Sequence, residues 1–229
     1  MDAFDLSRSD FMASALAAAA VSGDATAVRV TAPPAAASFH FDRDAFAAMI
    51  NRPYPHRQLA MPATYGEATA AMSEFRRAIA NYADPNGMAA GPNSLHCAAV
   101  LYRGLSSFMV LTDAMWAKYP IGLLCDEELR PNDVQLRATW TAMRRNPMTG
   151  YLRELIEHGV SFFVCNNHLN ELSGVIAERA GLDDAPASPE HVRSIHDDLA
   201  AHFIPSTMVV PVGVAAIIAL QEARFTYLP

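Results

Sequence analysis

The run Val160-Ser-Phe-Phe-Val-Cys165 sets the tightest limit on what this chain can fold into. It is short, rich in β-branched and aromatic residues, and has no polar alternation beyond Ser161. A strand of that kind must be covered on both faces. Four further runs read as strands: His96–Tyr102 (HCAAVLY), Thr207–Val212, Arg57–Ala63 in spite of Pro62, and a short last one at Phe225–Leu228. Helical periods fill the intervals. Ala45–Ile50 is a short helix before the first strand. Thr64-Tyr-Gly-Glu67 has capping-box spacing, and Met72, Phe75, Ile79 and Tyr82 follow on one face. Ser106 opens a helix that carries Phe108, Leu111, Met115 and Tyr119. Thr149–His158 is a helix stopped by Gly159, and Leu169–Ala180 is one stopped by Gly181. Ser188-Pro189 opens another by the cap-then-proline arrangement, and Gly213–Ala223 is the last. Strands alternating with helices predict an α/β fold: a three-layer α/β/α sandwich with about five mostly parallel strands.

Two regions depart from this rhythm. Ile121–Pro147 is punctuated by Pro120, Pro131 and Pro147. It reads as an insertion at about 120–147, with one helix at Asp133–Met143, that lids the sheet or builds a subunit contact. Residues 1–39 read as a signal-like or disordered tail ahead of a single domain over 40–229. The apolar stretch at 11–21 is too short to span a membrane. Ser7-Arg-Ser-Asp-Phe-Met12 resembles a twin-arginine export signal, with Arg8 in place and Ser9 where the second arginine belongs. Asp2, Asp5 and Asp10 leave that stretch net negative, whereas export signals start positive. A working or decayed signal and a retained tail both stay open, and with them a periplasmic or a cytoplasmic location. Thr31-Ala-Pro-Pro-Ala-Ala-Ala37 is a linker or cleavage zone in either case.

Composition removes several functions. Of 229 residues, 52% are apolar and 18% charged, the balance of a folded domain, not a disordered chain. The net charge is −7 and no Lys/Arg-rich run occurs, so neither nucleic acid nor a membrane is an expected partner. The motifs G-x-G-x-x-G, H-E-x-x-H and G-x-S-x-G and the Walker loop are all absent. Three cysteines without a C-x-x-C offer no zinc ribbon and no dithiol pair, and leave at least one thiol free unless subunits are cross-linked. No metal site and no cofactor are expected.

Of these thiols, Cys165 has the most telling place. It closes a strand whose successor is a helix, and ligands of parallel sheets gather at the carboxyl ends of strands. Asn166 or Asn167 is a natural cap, and a helix N-terminus stabilises a thiolate. His168, in the first turn, adds positive charge or takes a proton. The alternative is that Cys165 only fills the core, as free cysteines often do. His96 and Cys97 open a strand instead of closing one and read as structural. Cys125 lies in the irregular segment, where it can be exposed. His191, His196 and His202 read as solvated or capping groups.

Val164-Cys-Asn-Asn-His-Leu169, preceded by Gly159-Val160 and followed by Val209-Val-Pro-Val-Gly-Val214, Leu220-Gln221 and Phe225-Thr-Tyr227, resembles the DsrE/DsrF-like family. The resemblance covers the second half, from about Tyr151 to Pro229, and is thinner over His40–Tyr119. It implies an α/β sandwich and a sulfur-relay activity in which Cys165 carries sulfane sulfur as a persulfide. It makes Cys165 and His168 the expected catalytic residues, with Asn166 and Asn167 binding the loaded sulfur. It also implies a homo-oligomer, trimeric or hexameric, and a sulfur donor or acceptor protein as partner. A non-catalytic module of the same fold, binding a small ligand or serving assembly, is the other expectation.

Overall fold

The computed structural model describes residues 39–62, 64–84, 94–129, 139, 141–180 and 188–227, without the side chains of 126–129 and 180. The expected tail over 1–39 (Phe39 apart), the linker at 31–37 and most of the helix expected at Asp133–Met143 lie outside these residues.

Five strands form one sheet in the order β4-β3-β2-β1-β5, and every pairing is parallel. They are β1 (His56–Ala60), β2 (Leu95–Leu101), β3 (Ser161–Cys165), β4 (Thr207–Val210) and β5 (Thr226–Tyr227). The helices are α1 (Arg43–Ile50), α2 (Tyr65–Ala83), α3 (Asp113–Lys118), α4 (Ile121–Leu129), α5 (Thr149–Glu157), α6 (Asn166–Ala180), α7 (Pro189–Ala201) and α8 (Gly213–Glu222), with a 3₁₀ turn at Ser106–Val110. The architecture is the three-layer α/β/α sandwich read from the sequence.

Side chains alternate across the strands, and each set finds its own layer. Cys97, Ala99 and Leu101 of β2 and Phe162 and Val164 of β3 face a core built with Met72 and Phe75 of α2, Trp116 of α3, Leu152 of α5 and Leu172 of α6. Ala98, Val100 and Phe163 point the other way, toward Ile50 of α1 and Ala216 and Leu220 of α8. Phe46 of α1 meets the Phe163 ring edge-on at 5.3 Å. This explains the missing alternation in Val160–Cys165: both faces are apolar because both are roofed.

The helix starts follow local chemistry. Thr64 and Glu67 make the reciprocal capping box, with Thr64 Oγ1 accepting from Glu67 N at 3.0 Å. Ser188 caps α7, with Pro189 in its first turn. Gly159 follows α5 at φ +91°, in the left-handed region that suits glycine, and Tyr54 Oη lies where its side chain would begin.

Two expectations need correction. The segment read as irregular begins with α4, whose Ile121, Leu124 and Cys125 are buried in the main core, so Cys125 is not exposed. The helix expected from Ser106 to Tyr119 is split. A 3₁₀ turn runs to Val110, Leu111 bridges to Phe203, and α3 restarts at Asp113. Asn146 pins the returning chain to this break. Its Nδ2 donates to Met109 O and Leu111 O, both at 2.7 Å, and its Oδ1 accepts from Met148 N at 2.9 Å. A buried amide so placed satisfies the carbonyls the break leaves open.

Candidate functional site

The strand order locates the crevice. The chain leaving β1, β2 and β3 passes to the face of α2 to α7, whereas the chain leaving β4 passes to α8 on the opposite face. Neighbouring strands β3 and β4 therefore send their connections apart, and in open parallel sheets ligands bind at the carboxyl side of such a point. Cys165 ends β3 there, opposite Val210, the last residue of β4.

Cys165 stands directly before Asn166, the first residue of α6, with no loop between. The helix thus starts three residues earlier than the sequence reading placed it, and Asn166 and Asn167 lie in its first turn, not ahead of it. Alternation puts the Cys165 side chain on the same side as Phe163, toward α8. Gly213, the first residue of α8, has its missing side chain aimed at this spot: a Cβ there would lie 3.2 Å from Cys165 Cβ and 3.1 Å from Tyr102 Cγ, and against Tyr102 Cβ. Val212 gives α8 no side-chain cap. The first residue of α8 thus packs against Cys165, and the opening N–H groups of α8 have no capping side chain to receive them.

The three thiols differ in access. Cys97 and Cys125 are fully buried, while Cys165 keeps 6% of its surface exposed. Burial pushes the Cys97 thiol well above the ordinary thiol range.

The other expected site residues are turned to separate partners. His168 is buried; its Nε2 donates to Gly104 O at 2.7 Å and its Nδ1 lies 3.0 Å from Glu171 Oε2. It ties the first turn of α6 to the turn after β2, the one that follows Tyr102. Asn166 Oδ1 accepts from His196 Nε2 at 2.9 Å, which joins α6 to α7; His196 is therefore engaged and not solvated. Asn167 is exposed. Two residues beside Cys165, Tyr102 and Gly213, were not singled out from the sequence. The signals were small: Tyr102 closes the apolar run HCAAVLY, and Gly213 follows Pro211-Val212 at a strand-to-helix junction.

His96 is at the opposite end of the sheet. It is fully buried, with Nε2 3.0 Å from Ser161 Oγ and its ring between Tyr54 and Phe225. Burial first, then the nearby Arg52 and Arg57 charges, push it down to about 4, so it is a neutral packing group. Among the described residues there is no cluster of three or more His, Cys, Asp or Glu that could hold a metal ion. Nor is any helix among them long and apolar enough to cross a membrane.

Fold and site together define an α/β/α sandwich with a parallel five-stranded sheet and a cysteine at its switch point. Comparison with protein-family models found no match, and comparison with curated proteins found none. Among solved structures the chain is similar to a protein of unknown function from Methanobacterium thermoautotrophicum, with 14% identity and a TM-score of 0.39 over 75% of this chain and 97% of that one.

Proposed function

We propose that this chain is a DsrE-like sulfur-handling protein in which Cys165 carries sulfane sulfur. The observation behind this reading is the position of Cys165: at the carboxyl end of β3, at the point where β3 and β4 part, with Gly213 at the start of α8 packed closely against it. In loading, the Cys165 thiolate attacks the outer sulfur of a donor persulfide. A new S–S bond forms, the donor's S–S bond breaks, and its electron pair leaves on the donor thiolate. In delivery, an acceptor thiolate attacks the same outer sulfur and Cys165 departs as thiolate. The two half-reactions are mirror images and need no external oxidant. The first-turn N–H groups of α6, at Asn166 and Asn167, and those of α8 would hold the negative charge. His168 would act by fixing the turn after β2 against α6, and as a base only after releasing Gly104 or Glu171.

A second reading is favoured by a different observation. Cys165 is nearly buried and both nitrogens of His168 are occupied, which suits a binding or assembly module of the same fold. Oligomerisation belongs to both readings. Val214 and Ile218 of α8 and Tyr227 of β5 are large apolar side chains about half exposed, and they are candidate subunit contacts. A monomer in sedimentation at micromolar concentration counts against that part.

Alkylation of the folded protein as a function of pH, mapped to each cysteine by mass spectrometry, separates the two. A carrier has Cys165 reacting fast in the folded protein, ahead of Cys97 and Cys125. Persulfide donors then load wild type and not Cys165→Ser. Inertness of Cys165 until unfolding removes the carrier reading.

A further inference from the structure

We infer that the cleft between α1 and α8 is a second site, one that takes a small apolar carboxylate: an aliphatic or aromatic body with a single anionic end. It goes beyond the sulfur reading and does not use Cys165, so the two stand or fall separately. The cleft encloses about 300 Å³ at the carboxyl end of β4, the side of an open parallel sheet on which ligands gather. That volume is at the small end of ligand pockets.

Local sequence makes the trough. α8 turns Ala215, Ala216 and Ala219 toward it, at spacings of three and four that share one helix face. The facing wall carries bulk instead: the Phe41 and Phe46 rings, 5.5 Å apart and tilted at 58°. Buried Val210 lies at the base, and Pro211 and Val212 lead from it into α8. Methyl groups set opposite two rings leave a gap that neither helix fills. Both rings are only half-buried and Val212 is 41% exposed, so this apolar surface stays open to a ligand.

Charge names the ligand class. Of the described residues that line the cleft, Arg43 alone is charged. It stands three residues before Phe46 and so shares that face of α1. Among the described residues no carboxylate forms an ion pair with it. Asp42 caps the helix, its Oδ1 accepting from Ala45 N at 2.8 Å. Asp44 is one position on, about 100° round the helix from Arg43. An apolar body in the trough with a carboxylate at the Arg43 end satisfies both halves of the lining. A neutral body leaves the guanidinium without a partner, and a cationic one is repelled by it.

The test is calorimetric titration of the full chain with octanoate below its micellar concentration, against 1-octanol and octylamine as the neutral and cationic comparisons. Octanoate is expected to bind saturably at one site per chain, more tightly than octanol, with octylamine weakest. Arg43→Gln changes an exposed side chain, so the fold is kept; octanoate binding is expected to fall about threefold or more while octanol binding is unchanged. Ala215→Leu puts another good helix former at an exposed position and fills the trough; binding of both is expected to fall about tenfold or more. The inference is overturned by absence of saturable binding, by octylamine binding as tightly as octanoate, or by octanoate binding that survives unchanged in either variant. Sedimentation with and without octanoate covers the remaining occupant: a dimer that octanoate splits would mean that a second copy fills the cleft, and would overturn the assignment.

Discussion

A side chain on Gly213 would begin 3.2 Å from Cys165 Cβ, so the first residue of α8 decides how much room the thiol at the end of β3 has. The same Cβ would press on Tyr102 Cβ, an atom fixed to the backbone that cannot swing aside. Gly213→Ala is therefore expected to lower stability by about 1–3 kcal/mol, the range for overfilling a packed site. Urea unfolding measures this, and the alkylation rate of Cys165 is expected to fall in the same variant. Unchanged stability and unchanged rate would show that α8 sits farther from β3 than the structure places it.

The thiols are expected to rank by access. Cys97 and Cys125 are sealed, and burial raises Cys97 well above the ordinary range, so neither reacts with iodoacetamide in the folded protein at neutral pH. Cys165 is expected to react alone, and Cys165→Ser to leave a protein that is silent until denatured. Labelling of Cys97 ahead of Cys165 would contradict the sheet register that puts Gln58 and Cys97 side by side in the middle of β1 and β2.

Acid is expected to weaken the fold through His96. Its folded value is lowered from 6.5 to about 4. Above pH 6.5 it is neutral in both states and its contribution is constant. Below 6.5 the unfolded chain takes up a proton that the folded chain refuses until about pH 4, so stability falls across that window by about 3 kcal/mol in all. His96→Gln keeps a partner for Ser161 but does not titrate. The stability gap between wild type and variant, measured by chemical denaturation, is expected to shrink by about that amount between pH 7 and pH 4. A gap that stays constant would mean that His96 is hydrated.

Asn146→Ala removes three hydrogen bonds at once and strands Met109 O and Leu111 O without a donor. The expected loss is about 3 kcal/mol, because buried groups left unpaired cost their full desolvation. Asn146→Asp is expected to be little better: the carboxylate keeps an acceptor for Met148 N but supplies no N–H for the two carbonyls. A small effect in both would place this amide at the surface.

What the sequence made legible was whatever depends on neighbours along the chain. The capping box at Thr64, the cap at Ser188 and the apolar runs at β2 and β3 fell where expected because caps and strand patterns are local. Residues Ile121, Leu124 and Cys125 also stand at i, i+3 and i+4, a helical signal that Pro120 and Pro131 obscured. The break at Leu111 was hidden because its cause, the bridge to Phe203, lies far along the chain. The place of Cys165 at a strand end was readable; its contact with Gly213 and Tyr102 was not, since three separate connections meet there. His168 was read by its nearness in sequence to Cys165, but its partner Gly104 belongs to the turn after another strand.

The last strand pairs with the first. Thr226 and Tyr227 lie beside Gln58 and Leu59, at the far edge from β4. During synthesis β1 must wait with one side bare while every other strand emerges and stacks away from it, and only then does α8 carry β5 back across the sheet. The slowest step of assembly is therefore expected to be closure of that edge, and the growing chain is most exposed to pairing with a foreign strand at His56–Ala60.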